Sequence, residues 1–230
     1  MAVVSAASVL TPITAEASSN YSMRKKVVVA AGIMRETSDD SAPVTRAQFA
    51  EMLVKASTLR SSVSGDSNVS VFADVDRNSE YASYIRVAAE QGWMSGYLGG
   101  NFRPDQPVTM QEAVGAVLML LGYTDEDFTG DQVNGRKAQF EFLELNEEID
   151  RESDEVLTKS DCINLFYNLL RRESKGSTTI YGSILDCELT EDGEINPLNM
   201  VDNSMNGPRL VRRTQNLTSI IPFDVSEASF

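Results

Sequence analysis

Pro43-Val44-Thr45-Arg46-Ala47-Gln48-Phe49-Ala50 spells a helix start with a defined mechanism, and the chain repeats it. The second copy is Pro107-Val108-Thr109-Met110-Gln111-Glu112-Ala113-Val114, and a weaker third is Val156-Leu157-Thr158-Lys159-Ser160-Asp161-Cys162-Ile163. In each, Thr stands at the N-cap, where its hydroxyl accepts from the amide three residues on. Gln48, Glu112 or Asp161 sits three residues later, where a capping box needs a side chain that reaches back. Asp161 is the shortest of the three, which makes its box the least secure. The apolar residue before each cap faces Phe49, Ala113 or Cys162 at the fourth helical position, the pairing of a hydrophobic staple. One such match arises easily by chance. Three with staples, each leading into an apolar helix, read as a repeat.

Working outward, residues 45–59 place Phe49, Met52, Leu53 and Ala56 on one helical face. The helix after Thr109 has no charged residue from Ala113 to Leu121, so it is expected to be buried on nearly all sides. The helix after Thr158 presents Ile163, Phe166, Leu169 and Leu170 to a core, with Arg171-Arg172 at its end. Residues 21–34 read as a short helix stopping near Gly32, and Tyr81, Tyr84, Ile85 and Ala88 as another ending at Gly92. Trp93 to Asp105 holds Gly96, Gly99, Gly100 and Pro104 and reads as a tightly turned loop. Residues 61–70 form a Ser-rich linker. Between 123 and 161 there are 13 acids against four bases, with Phe140, Phe142, Leu143 and Leu145 as a short apolar stripe. Beyond Gly176, residues 178–189 are β-prone, and Asp192-Gly193 and Gly207-Pro208 mark turns.

Composition narrows the chemistry. With 230 residues the chain is long enough to bury a sizeable core. A formal net charge of -14 disfavours nucleic acid, which needs a basic footprint. The chain contains no histidine, which removes His-dependent triads and most zinc sites. Cys162 and Cys187 make no metal motif, and Cys162 falls on a core-facing position as a buried free thiol. Asp74-x-Asp76-x-Asn78 begins like a calcium loop, but Ser79 and Ile85 stand where Gly and Glu are required. Asp125-Glu126-Asp127 with Asp131 reads as a solvated acidic loop. No phosphate loop or nucleophile motif appears, and nothing singles out a carboxylate pair for glycoside hydrolysis. The expectation is a protein that is not an enzyme and needs no cofactor or metal. Ala2 to Leu10 followed by Ala15-Glu16-Ala17 resembles the end of an export signal without its basic start. No apolar run approaches a membrane span, so membrane insertion is not expected.

The middle unit closely resembles an S-layer homology domain, the module by which many bacterial surface proteins hold on to the cell wall. Phe72-x-Asp74-Val75, Tyr84-Ile85, Ala88-Ala89-Glu90-Gln91-Gly92, Ser95-Gly96-Tyr97, Asn101-Phe102-Arg103-Pro104-Asp105 and Pro107-Val108-Thr109 run in that family's order and spacing. Tyr81 stands where the family usually has Trp. The likeness covers residues 24–172, with a truncated first unit and a degenerate third, and does not reach 177–230.

The resemblance implies a mainly α fold, a pseudo-threefold spindle with a central three-helix bundle, here followed by a small β-prone C-terminal segment. The corresponding divisions are a leader at 1–17, repeats at 18–60, 61–123 and 124–176, and a β-prone tail or further domain at 177–230. It implies secretion to the cell wall or surface layer and non-covalent binding of a secondary cell-wall polysaccharide in grooves between repeats, often through a pyruvylated sugar carboxylate. The family's basic residue after the Thr cap is Arg46 in the first repeat and Lys159 in the third. It is Met110 in the second, a departure that leaves that groove without the family's cation.

Arg46 and Lys159 each follow a cap, Thr45 or Thr158, so a cation faces the positive end of a helix dipole at a cost of roughly 0.3–1 kcal/mol when exposed. A carboxylate bound beside either would reverse that sign, because free helix-start amides, dipole and cationic side chain would then all point at one anion. Trp93 offers a flat face for a sugar ring, and Ser95 and Gly96 belong to the loop beside it. Against this, Arg46 and Lys159 read equally as solvated surface residues and Trp93 as core. An alternative function is a structural or assembly module whose repeats contact other surface-layer proteins without binding glycan.

Overall fold

The computed structural model describes residues 13–63 and 71–187. The expected turns and strands beyond residue 187, the linker at 64–70 and the leader up to residue 12 lie outside the described residues. Within them the protein is mainly helical: α1 (Ile13–Ala30), α2 (Arg46–Lys55), α3 (Ala82–Glu90), α4 (Met110–Leu120), α5 (Gln132–Phe142) and α6 (Lys159–Leu170). Pairing between extended segments is confined, among the described residues, to isolated bridges.

All three Thr boxes close. Thr45 Oγ1 accepts from the Gln48 amide at 3.2 Å and Gln48 Oε1 from the Thr45 amide at 3.1 Å. The matching bonds at Thr109 and Glu112 are 3.4 and 3.0 Å. Thr158 and Asp161 give 3.3 and 2.8 Å, so even the short Asp side chain spans the box. The staple pairs Val44–Phe49, Val108–Ala113 and Leu157–Cys162 are fully buried.

The three cap segments are joined directly to one another. The Val44 amide donates to the Leu157 carbonyl at 2.9 Å, Leu157 to Val108 at 3.0 Å, and Val108 to Val44 at 2.9 Å, closing a ring of backbone bonds. Isolated bridges pair Pro43 with Thr158, Thr45 with Pro107, and Thr109 with Val156 around that ring. Below it, α2 packs on α3, α4 on α5, and α6 back on α1. Phe49 of α2 meets Phe166 of α6 with ring centroids 5.8 Å apart, and α2 also touches α4. One apolar core runs through all of these elements.

The helices that precede the caps end alike, on a left-handed residue that turns the chain out of the helix. It is Gly32 after α1 (φ 71°) and Gly92 after α3 (φ 72°). After α5 the position is Glu144 (φ 51°), a conformation in which a Cβ is strained.

Several expectations shift. The short helix expected at 21–34 is the end of α1, which already begins at Ile13 and takes in residues 13–17 of the expected leader. α5 was not legible as a helix; Asp131 caps it by accepting from the Asn134 amide at 3.2 Å. Of its apolar stripe Phe140 is buried, whereas Phe142 is 79 % exposed. α4 is not enclosed all round, since Gly115, Met119 and Leu120 remain half-buried. The β-prone stretch from 178 folds instead into a 3-10 turn, Tyr181–Leu185, tethered by a single bridge between Glu173 and Ile180. Tyr181 decides this: its ring is buried and its hydroxyl donates to the Ala56 carbonyl at the end of α2, 2.7 Å away.

Candidate functional site

The cap ring consumes the amides that a helix start leaves open. The Arg46 amide donates to the Gln106 carbonyl at 2.8 Å and the Ala47 amide to Pro104 at 3.0 Å. Met110 and Gln111 bond in the same way to Glu155 and Ser153, and Lys159 and Ser160 to Ala42 and Asp40. The third amide is taken by the Thr hydroxyl. The free-amide anion cradle expected at Arg46 and Lys159 is therefore not available, because neighbouring loop carbonyls occupy it. Thr45 and Thr158 are half-buried, with their hydroxyls engaged in the boxes.

Arg46 is neither solvated nor open. It is 2 % exposed, and every guanidinium nitrogen has an acceptor. Nε donates to the Phe102 carbonyl at 2.9 Å, Nη2 to the Ser95 carbonyl at 2.7 Å, and Nη1 to the Glu112 carboxylate. The Tyr97 and Phe102 rings flank it, with centroids 4.8 and 4.5 Å from its guanidinium carbon. A buried cation is tolerated only when so paired. Glu112 thus does two jobs, closing its own box with one oxygen and neutralising Arg46 with the other.

Arg46 forms part of the wall of a groove of about 360 Å³ that Trp93, Tyr97, Glu112, Gly115 and Arg136 also line. Trp93 is half-buried, packed on the core with one side to the groove. Ser95 contributes its carbonyl to Arg46. Gly96 serves packing: a Cβ there would lie 2.3 Å from Cε1 of Phe72 and 3.1 Å from the Asn101 carbonyl. Beside the groove Asp74 accepts from the Phe102 and Arg103 amides, each at 2.7 Å. Burial works to raise the Asp74 carboxyl, yet the two amides outweigh it and hold the group below the usual carboxylate range. The apparent calcium loop is in fact the clamp on the glycine-rich turn.

Arg46, Trp93, Ser95 and Gly96 therefore come together, while Lys159 lies elsewhere. It lines a separate groove of about 250 Å³ with Met34, Arg35, Gln48 and Tyr81. Its Nζ donates to Thr37 Oγ1 at 3.1 Å, and the box residue facing it is the neutral Gln48. A third groove, about 210 Å³, has Met110 at its head, with Phe140, Ile149 and Arg151 among its walls. There Arg151 Nε reaches the box acid Asp161 at 3.0 Å, the contact that Arg46 makes to Glu112. The cation missing at Met110 is thus supplied from a loop position seven residues before the cap, where the Arg46 groove has Phe102.

Sequence reasoning missed Arg24, 1 % exposed, which binds Asn168 Oδ1 at 3.0 Å and Glu147 Oε1 at 2.5 Å. It also missed Arg136. Neither has a local motif. Cys162 and Cys187 are free and buried, and burial pushes the Cys162 thiol up. No group of metal-ligating side chains occurs among the described residues, and no described helix is long and apolar enough to cross a membrane.

The segment that contributes Trp93 to Tyr97 and Glu112 to the Arg46 groove carries a family signature: residues 71–114 match the S-layer homology domain. Two curated proteins are similar over longer stretches. A middle cell wall protein of Brevibacillus brevis is 26 % identical over 128 residues, and a surface layer protein of Brevibacillus choshinensis is 30 % identical over 80. These alignments take in 56 % and 35 % of this chain but span only 12 % and 7 % of the relatives' length.

Proposed function

We propose that this protein is a non-enzymatic, non-covalent anchor that holds a secreted bacterial protein at the cell surface by binding a secondary cell-wall polysaccharide. The proposal extends to three S-layer homology repeats arranged as a pseudo-threefold spindle around α2, α4 and α6. The observation that carries it is the Arg46 groove. Much of its wall, from Trp93 to Glu112, comes from the segment that matches the S-layer homology domain, and it sets a half-buried Trp93 beside charged side chains and a glycine-rich turn. An aromatic face next to paired polar groups suits a sugar ring with a carboxylate substituent. The closed cap ring and the pairing of α6 with α1 support the three-repeat reading.

The deciding experiment is sedimentation of the purified protein with cell-wall sacculi of Brevibacillus brevis, with and without prior removal of the secondary polysaccharide. Binding that disappears with the polysaccharide is expected. Equal binding to both preparations, or to neither, overturns the reading.

A second reading, an assembly module that contacts other surface proteins, is favoured by Leu98. It stands fully exposed on the turn made by Gly99 and Gly100, an apolar tip with no internal role. Concentration-dependent association in light scattering, lost in Leu98→Ser and unaccompanied by polysaccharide binding, would favour it.

A further inference from the structure

We propose that the residue meeting the ligand's anionic group in the Trp93 groove is Arg136, contributed by α5 from outside the matched segment. Arg46 is the positioning residue behind it. This rests on the wall-binding reading above and says which side chain performs it.

Arg46 has nothing left to offer. Its three nitrogens are committed to Phe102, Ser95 and Glu112, two rings flank its guanidinium, and it is almost wholly buried. Turning it toward a ligand would strand Glu112 and release the loop carbonyls that fix the groove wall. Arg136 is the other cation lining the same groove, and its situation is the reverse. Its side chain is 28 % exposed, and its partner is Asp125, 66 % exposed. A surface pair of that kind contributes little and exchanges readily for another anion.

Arg136 comes to the groove beside Gly115. Gly115 is a half-buried position of α4 that lines the Trp93 groove. A Cβ added there meets Nη1 of Arg136 at 3.9 Å and no other group within contact distance. The guanidinium thus lies next to the Gly115 backbone and lines the same groove as Trp93. It also lines the Met110 groove, so it stands where two grooves meet. The acids that face it in the Trp93 groove are Asp125 and Glu112, of which Glu112 is held by Arg46, leaving Asp125 as the competitor that a ligand carboxylate displaces.

The test uses the full chain and Brevibacillus brevis sacculi that retain the polysaccharide, titrated at two salt concentrations. Arg136→Gln is expected to weaken binding by about tenfold or more, the range for a hydrogen bond to a charged group, and to flatten the salt dependence. Arg136→Lys keeps the charge but not the fork and falls between the two. Asp125→Asn, which leaves Arg136 in place without its competitor, is expected to bind as well as the parent or better. If the parent binds while Arg136→Gln matches it within twofold, or Asp125→Asn binds more weakly, this assignment is overturned and the anchor function stands. If the parent binds no better to polysaccharide-bearing sacculi than to stripped ones, the anchor function falls and this assignment with it.

Discussion

Arg46, at the head of α2, and Glu112, in the first turn of α4, form an ion pair in which the arginine is 2 % exposed and the glutamate side chain 27 %. The pair bonds the start of one capped helix to the start of the next and fixes the loop between them through Ser95 and Phe102.

Removing one partner leaves a buried charge uncompensated, which costs more than the pair contributes. Glu112→Ala also opens the box at Thr109. We expect it to lower stability by about 2–4 kcal/mol, read by urea denaturation. Arg46→Met with Glu112→Gln should cost clearly less than the sum of the single changes, since the two act as one unit. Additive losses would show that the pair is not coupled.

Gly96 is held by shape. Gly96→Ala drives a methyl into the Phe72 ring, which packs on Phe102 with centroids 5.2 Å apart. A loss of about 1–3 kcal/mol is expected, as for other overpacked sites. Phe72→Leu in the same chain should recover part of it. A neutral Gly96→Ala would mean the ring is not seated there.

Asp74 supplies a pH dependence with a definite sign. Its folded carboxyl lies below the ordinary value, so its contribution is complete above the unfolded value of about 3.9. It is lost as the pH falls through the depressed folded value. In Asp74→Asn one of the two amide bonds, to Phe102 or Arg103, loses its acceptor at every pH. Hydrogen exchange at those two amides should be slow in the parent at neutral pH and faster in the variant. Equal protection in both proteins would remove Asp74 as the clamp.

Tyr181 tests whether the chain beyond Gly176 belongs to the same folding unit. Its hydroxyl satisfies the Ala56 carbonyl inside the core. Tyr181→Phe is expected to cost about 1–3 kcal/mol through the orphaned acceptor, and Tyr181→Ala about 3–5 through the cavity. Both are measurable as shifts in Tm. Unchanged melting in Tyr181→Ala would show that the segment only rests on the surface.

The parts of the molecule legible in the sequence are those decided over a few residues. A Thr with an acceptor three positions on closes a box wherever it is placed, so the heads of α2, α4 and α6 were readable to the residue. The ends of α1 and α3 were readable at Gly32 and Gly92 because a left-handed stop there needs no Cβ. Where the signal was composition instead of geometry, the reading failed. The β-prone stretch after Gly176 became a 3-10 turn because one buried tyrosine outweighs local propensity. α5 escaped notice because it buries only Phe140 and its apolar pattern has no continuous face.

The sequence by itself determined where the three Thr-capped helices begin and that the middle unit resembles the S-layer homology domain. Only the tertiary structure decided what Arg46 is for. Whether a cation at a helix head meets solvent, a ligand or a carboxylate depends on what the fold brings within about 3 Å of it, and Glu112 lies 66 residues away along the chain. Separation in sequence likewise hid Arg136, which α5, packed on α4, brings beside Gly115 and into the groove.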